Sequence, residues 1–318
     1  MIARLIYRLC KARKFGSAVA IWSVLSAFCR RIKILQGYAT ERKHDAIMTW
    51  LSKNYGWLIS EYKQRYEVRP QLTNEGKVIP QKLWVCWWQG ENAMPPLVKA
   101  CYNSVLKYSN GYDVTLITKE NYGDLLSIPE HIITKYNNGT ITVTHLSDII
   151  RMLLLANYGG MWLDATVLVT DEITFEEGRS FFTIRRDLGG KYVPKRKWAG
   201  NCIAGSQDFL LFNFVVDILC EYWKNFSEMI DYFLIDYAIN LAYISIPEIQ
   251  KAIDEVKLNN EGYMTLNRCL GCEYHSDFFA EVTVGTIFHK LSWKGKYSVI
   301  TPDGKTSFYG YILNENSQ

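Results

Sequence analysis

The chain has 318 residues, 48% of them hydrophobic, enough for one large or two ordinary domains with a sizeable core. Its formal charge of +4 is unevenly spread: residues 1–43 hold ten Lys/Arg against Glu41 alone, leaving 26 of the 36 basic and 31 of the 32 acidic residues for the other 275. A mildly acidic body with a basic arm argues against a general nucleic-acid binder and for an arm that meets something anionic.

Phe15 to Cys29 is an uncharged run between Arg13-Lys14 and Arg30-Arg31, short of the roughly 20 residues that span a bilayer. Its basic flanks also lack the small-residue cleavage site of a signal peptide. A basic, partly apolar helix on an anionic membrane surface fits, as does an ordinary helix packed on the domain. Residues 41–70 read as an amphipathic helix ending at Pro70, and Gln71 to Lys77 as a linker. The organisation expected is therefore a helical extension over 1–75 and one domain over 76–318.

From Ile79 the pattern changes. Ile79 to Gly90 reads as a strand entering a loop, Met94-Pro95-Pro96 opens a helix through Lys107, and Tyr112 to Ile117 is a second strand. Trp84, Cys86 and Trp88 share one face and suit a core, whereas Trp87 faces the other way, as a stacking surface for a base or sugar. Thr144 to Thr170 reads as helix, glycine turn and strand. Ser147 is the expected N-cap, Asp148 and Arg151 stand three apart on one face, and Gly159-Gly160 ends the helix. Asp164 is stranded between the apolar runs Met161–Leu163 and Val167–Val169. Unpaired there it would cost several kcal/mol, so it needs a partner, a metal or the open end of a strand.

Strand and helix alternating at this spacing predict an α/β fold with a mainly parallel sheet, helices on both faces, and ligands beyond the carboxyl ends of the strands. Asp164 and the loop Trp87–Gly90 fall at that edge. Further on, Arg179 to Lys197 reads as a mobile loop, Asn201 to Ser206 as a strand and turn, and Phe209–Phe226 and Tyr232–Tyr243 as helices. The tail from Val282 reads as short strands containing His289 to Lys294. Of the eight cysteines only Cys269 and Cys272, with His275, have ligand-like spacing. With no second pair, free thiols are the better reading.

Patterns for dinucleotide, P-loop and serine-hydrolase chemistry are missing from the sequence. What remains suits a nucleotide-sugar: an aromatic ring for the base, a carboxylate for a divalent cation or ribose hydroxyls, Arg151 for phosphate charge, and Asp148 for sugar hydroxyls. Asp148–Arg151 as a plain helix ion pair, Asp164 as a capping carboxylate and Asn201 as a turn residue are the bland counterparts.

The pattern Ser147-Asp148-x-x-Arg151-x-x-x-Leu155-x-x-Tyr158-Gly159-Gly160-x-x-x-Asp164 resembles the DXD-containing glycosyltransferases of family 32, closest to their bacterial branch, the capsular polysaccharide synthesis proteins. Ile79-Pro80-Gln81-Lys82 with Trp84 and Trp87-Trp88-Gln89-Gly90 resembles that family's opening strand, Tyr112 to Thr118 its second, and Gly159 to Val167 its Gly-Gly-x-Trp-x-Asp-Ala-Thr-Val segment. The likeness covers about 75–300. It implies a GT-A fold and retaining transfer of a sugar from a nucleotide-diphosphate donor, a UDP-sugar for preference, to a capsular or O-antigen-type glycan or lipid-linked glycan. Asp164, Asp148 and Arg151 become the expected catalytic residues. Trp87, Trp88, Gln89, Gly160, Thr166 and Lys290 join them as donor contacts, with Asn201, Asp236 and Trp293 toward the acceptor or sugar. A divalent cation, Mn2+ or Mg2+, is expected on Asp164 with His289 in support, but Thr166 stands where the family has the second aspartate of DXD, and a hydroxyl is a poor substitute. The expected location is cytoplasmic, peripheral at the inner face of the cell membrane through residues 1–43. A sugar-phosphate transferase and a non-catalytic sugar-nucleotide-binding or scaffold subunit are the competing readings.

Overall fold

Gly160–Asp164 is the middle strand of the central sheet, and the helices are laid around it by the alternation of its side chains. The computed structural model describes residues 2–29, 33–68 and 77–317; Arg30-Arg31 and the expected linker up to residue 76 lie outside them. The first described elements are the helices α1 (Ile2–Ala12), α2 (Ser17–Phe28) and α3 (Lys33–Val68), the last kinked at Tyr55. Then come β1 (Lys82–Cys86), α4 (Pro96–Lys107), β2 (Asp113–Ile117), α5 (Tyr122–Leu125), α6 (Glu130–Asn137), α7 (Val143–Tyr158) and β3 (Gly160–Asp164). After β4 (Val167–Val169), β5 (Phe181–Thr183) and β6 (Cys202–Gly205) the chain turns helical: α8 (Leu210–Asn225), α9 (Leu234–Ser245), α10 (Pro247–Asp254), α11 (Thr265–Cys269) and α12 (Ser276–Thr283). It closes with β7 (Phe288–Lys290) and α13 (Phe308–Glu315).

The five-stranded sheet has the order β2-β1-β3-β6-β5. β1 pairs in parallel with β2 and β3, β6 runs against β3, and β5 runs against β6, so four strands share one direction. The expected mainly parallel α/β sheet is present. Trp84, Trp162 and Ile203 point to one face and pack into a core with α7, α8 and α9. Leu83, Val85, Met161, Leu163, Cys202 and Ala204 point to the other and meet Val98, Tyr102 and Val105 of α4. This is the period-two alternation of strands buried on both faces. The first core also takes in Phe15, Val19, Ile47, Leu51, Tyr55, Leu58 and Tyr62, so the N-terminal helices share a hydrophobic core with α8 and α9. Polar contacts reinforce that seam: Lys43 pairs with Asp231 at 2.8 Å, and the Tyr62 hydroxyl donates to Asp217 at 2.6 Å.

Three local expectations are corrected. The N-cap before Asp148 is Thr142, whose hydroxyl accepts from the His145 amide, and the helix starts a turn earlier than Ser147. Arg179 to Lys197 is not wholly a loop, because Phe181–Thr183 pairs with β6 and its aromatic ring stacks on Phe209 at 5.0 Å. The tail holds one short strand, β7, and ends in helix α13, capped by Ser307. Gly159 and Gly160 behave as read and more: both have positive φ, and an added Cβ would stand 2.5 Å from the Gln207 amide nitrogen and 2.6 Å from the Lys82 carbonyl respectively. Only glycine lets the helix end and β3 begin against these backbones.

Candidate active site

β1 and β3 are parallel neighbours in register, Cys86 opposite Asp164, so both chains leave the sheet at the same edge. There the loop Trp87–Gln89, the first turns of α7 and the segment Asp164–Thr166 border an open cleft of about 420 Å³. Trp293 and Lys294 close its far side, with the Trp293 ring edge-on to Trp87 at 6.0 Å.

Asp164 is the hub. Its Oδ1 accepts from the Trp162 indole at 2.9 Å and from Arg151 at 3.1 Å, and its Oδ2 accepts from the Lys290 ammonium at 2.7 Å. Lys290 also donates to the Thr166 hydroxyl at 2.6 Å. Burial alone would push the Asp164 carboxyl up, but the charges of Lys290 and Arg151 and the hydrogen bonds from Lys290 and Trp162 hold it below its ordinary 3.8. The awkward carboxylate therefore has its partners.

Arg151 links the hub to the helix. Its guanidinium reaches Asp148 at 3.2 Å, lies 5.0 Å from the centre of the Trp162 ring, and has no partner for its buried Nε. Asp148 and Arg151 are 7% and 6% exposed, unlike a solvated surface pair. Burial raises the Asp148 carboxyl to about 7 against the opposing charge of Arg151, so at neutral pH this group is partly protonated. Asp236 is similarly raised by burial, to about 6, while its Oδ1 accepts from the Trp198 indole at 3.0 Å.

The donor contacts expected from the sequence divide. Trp87, Trp88, Gln89, Arg151, Asp164 and Thr166 line the cleft, and Lys290 and Asp148 touch residues that do. Trp88 is 8% exposed with its indole on the Tyr136 hydroxyl, so it supports the cleft from the core side. Gly160 is a correction: it opens β3 while Asp164 closes it, about 13 Å away at strand rise, and it serves chain packing. Asn201 is turned aside, its side-chain oxygen accepting from the Tyr263 hydroxyl while its carbonyl takes the Asp164 amide. Trp293 borders the cleft itself.

His289 is the second correction. It neighbours Lys290 on β7, and strand alternation sends the two side chains to opposite faces. The ring is fully buried, bonded to the Thr286 carbonyl at 3.0 Å and near the Thr170 hydroxyl at 3.2 Å, and burial lowers its pKa to about 4. It cannot join Asp164 around an ion. Among the described residues, no group of three or more His, Cys, Asp and Glu side chains gathers as a metal site would require. Both Asp164 oxygens already face nitrogen cations, and the second DXD position offers a hydroxyl. As folded, this donor set does not fit a divalent cation.

Trp162 lines the cleft in addition to the residues expected from the sequence. It stands two before Asp164 on the same strand face, and that spacing alone places its indole beside the carboxylate.

A family model described as capsular polysaccharide synthesis protein matches residues 32–312. No curated protein matches the chain. Among solved structures it is similar to the PaToxG glycosyltransferase, with 14% identity and a TM-score of 0.40 over 86% of this chain and 95% of that one. It is also similar to the apo structure of the bifunctional glycosyltransferase WbbM, with 10% identity and a TM-score of 0.38 over 76% of this chain and 50% of that one.

Proposed function

The chain belongs to the capsular polysaccharide synthesis protein family, and from that membership we propose that it is a glycosyltransferase using a nucleotide-diphosphate sugar, a UDP-sugar for preference. The observation that carries the reading is the convergence of Arg151, Trp162 and Lys290 on Asp164 at the wall of an aromatic-bordered cleft beyond the parallel strand ends. A diphosphate needs fixed positive charge, and a sugar needs hydrogen-bonding carboxyl groups. A base needs a ring face, which Trp87 or Trp293 offers.

In the proposed reaction the acceptor hydroxyl forms the new glycosidic bond as the anomeric carbon–oxygen bond to the diphosphate breaks. Its proton passes to the departing phosphate oxygen on the same face, which retains configuration. Arg151 and Lys290 stabilise the negative charge that develops there, and their bonds to Asp164 hold them in place beforehand. Asp148, kept partly neutral by burial, orients the guanidinium and offers either a donor or an acceptor to a sugar hydroxyl.

The acceptor in this reading is a growing cell-surface glycan carried on a lipid, and the N-terminal helices meet the membrane. No described helix is long and apolar enough to cross a membrane. Ile6, Tyr7, Ile21, Leu25, Phe28, Leu35 and Tyr38 nevertheless stay exposed on α1–α3, within the stretch that holds ten basic residues.

A thermal-shift screen of nucleotide sugars, followed by transfer of doubly labelled donor to an acceptor extract, tests the reading. Sugar label in the product without the β-phosphate label is expected. Phosphate label in the product would make the chain a sugar-phosphate transferase. A donor that binds tightly and never turns over would make it a binding subunit.

A further inference from the structure

Lys290 is placed by the sheet and not by chance. Its backbone sits on β7 opposite Val167, and the next amide, Leu291, donates to the Thr166 carbonyl at 2.9 Å. That register delivers the ammonium into the notch between Asp164 Oδ2 and Thr166 Oγ1. The two residues bordering the notch are the first and third of Asp164-Ala165-Thr166, where the related DXD enzymes carry the carboxylates that hold their metal. The second carboxylate and the metal are thus replaced together, by a hydroxyl and an ammonium. Threonine gives Lys290 an acceptor without a second negative charge, and aspartate there would recruit a divalent cation instead.

We propose that the Lys290 ammonium is a built-in substitute for the divalent cation, so that this chain binds the diphosphate of its donor without metal. The inference rests on the nucleotide-diphosphate reading above. Asp164 and Thr166 both line the cleft, so the ammonium stands at its wall, and 19% of the Lys290 side chain remains exposed toward solvent. Arg151 flanks the same carboxylate from the other side. Two fixed cations then face the diphosphate from either side of the Asp164 carboxylate, a charge pattern suited to a phosphate anion. Lys294, exposed in the lining of the same cleft, adds a third positive charge.

Calorimetric titration of the full chain with UDP, GDP and dTDP, in EDTA and in Mn2+, tests this. The wild-type chain is expected to bind one of them with the same affinity in both buffers. Lys290→Ala should weaken that binding at least about tenfold in EDTA, and Lys290→Arg should keep most of it. Thermal unfolding of each variant separates lost binding from lost fold. Thr166→Asp combined with Lys290→Ala rebuilds the two-carboxylate arrangement. That variant should bind Mn2+, read directly by electron paramagnetic resonance, and bind the nucleotide only with the metal. Wild-type binding that vanishes in EDTA and returns with Mn2+ overturns the inference while leaving the donor reading intact, as does a folded Lys290→Ala variant that binds as well as wild type. Failure of every nucleotide to bind in either buffer overturns the donor reading and this inference together.

Discussion

Replacing Asp148 with asparagine removes a charge from the least hydrated carboxyl of the site while keeping its shape. Burial raises that carboxyl from 3.8 to about 7 in the fold. The unfolded chain therefore releases the proton above pH 3.8, and the folded chain keeps it until about pH 7. Between those values the folded state binds more protons, so this group's contribution to stability is complete below pH 3.8 and is lost progressively up to pH 7. The full loss is on the order of 4 kcal/mol, of which roughly 2 to 3 kcal/mol falls between pH 5 and pH 8. Asp148→Asn carries no such penalty, so relative to wild type it should gain about 2 to 3 kcal/mol between those two pH values. Urea denaturation of both proteins at each pH, with unchanged slope, measures the difference. At the same time Arg151 loses a charged partner at 3.2 Å, so donor turnover should fall even where the fold is more stable. A stability difference that is flat in pH, or that favours wild type as pH rises, would refute the assignment of Asp148 as a desolvated, partly protonated carboxyl.

Gly160→Ala should destabilise the chain by at least about 3 kcal/mol, through positive-φ strain and overpacking against Lys82, with donor affinity unchanged in the protein that remains folded; thermal denaturation and titration read the two effects. His289, neutral in the fold with a pKa lowered by burial to about 4, stabilises the chain above pH 6.5, and that contribution is lost as pH falls through 4. His289→Asn should therefore flatten the acid limb of the stability curve by up to about 3 kcal/mol and leave donor binding unchanged, which acid unfolding followed by fluorescence will measure. Trp87→Ala should weaken nucleotide binding about tenfold without a comparable change in stability, since its indole edges the cleft and donates only to the Ala93 carbonyl.

Much of this was legible in the sequence because it depends on short-range periodicity. Strand alternation around Trp84 and Trp162, the glycine pair after Tyr158, and helix spacing at Asp148 and Arg151 each bind nearby residues to one another, so the elements β1, α4, β2, α7 and β3 follow from local pattern. The junction of Asp164 with Lys290 is different in kind. The two are 126 positions apart and meet only because β7 pairs with β4, a three-residue ribbon with no strong signal of its own. His289 and Lys290 could be ranked only once that register was known, since a shift of one residue exchanges which of them faces Asp164. The helix α13 and the strand β5 were missed because tertiary packing, through Phe308 and Phe181, outweighs weak local preference. The N-terminal helices carry a sequence signal of charge, while Phe15, Ile47 and Leu51 bind them into the main core, a fact that composition does not reveal.

Release of nucleoside diphosphate from the donor selected by thermal shift, compared between wild type and Asp164→Asn, tests the central claim most directly. Asparagine keeps the shape at the hub and removes the charge that fixes Arg151 and Lys290 on the cleft wall. The expected result is turnover in wild type and a loss of at least about a hundredfold in a variant that unfolds cooperatively like the parent. Equal turnover in the folded variant would contradict the assignment of Asp164 as the anchor of the donor site.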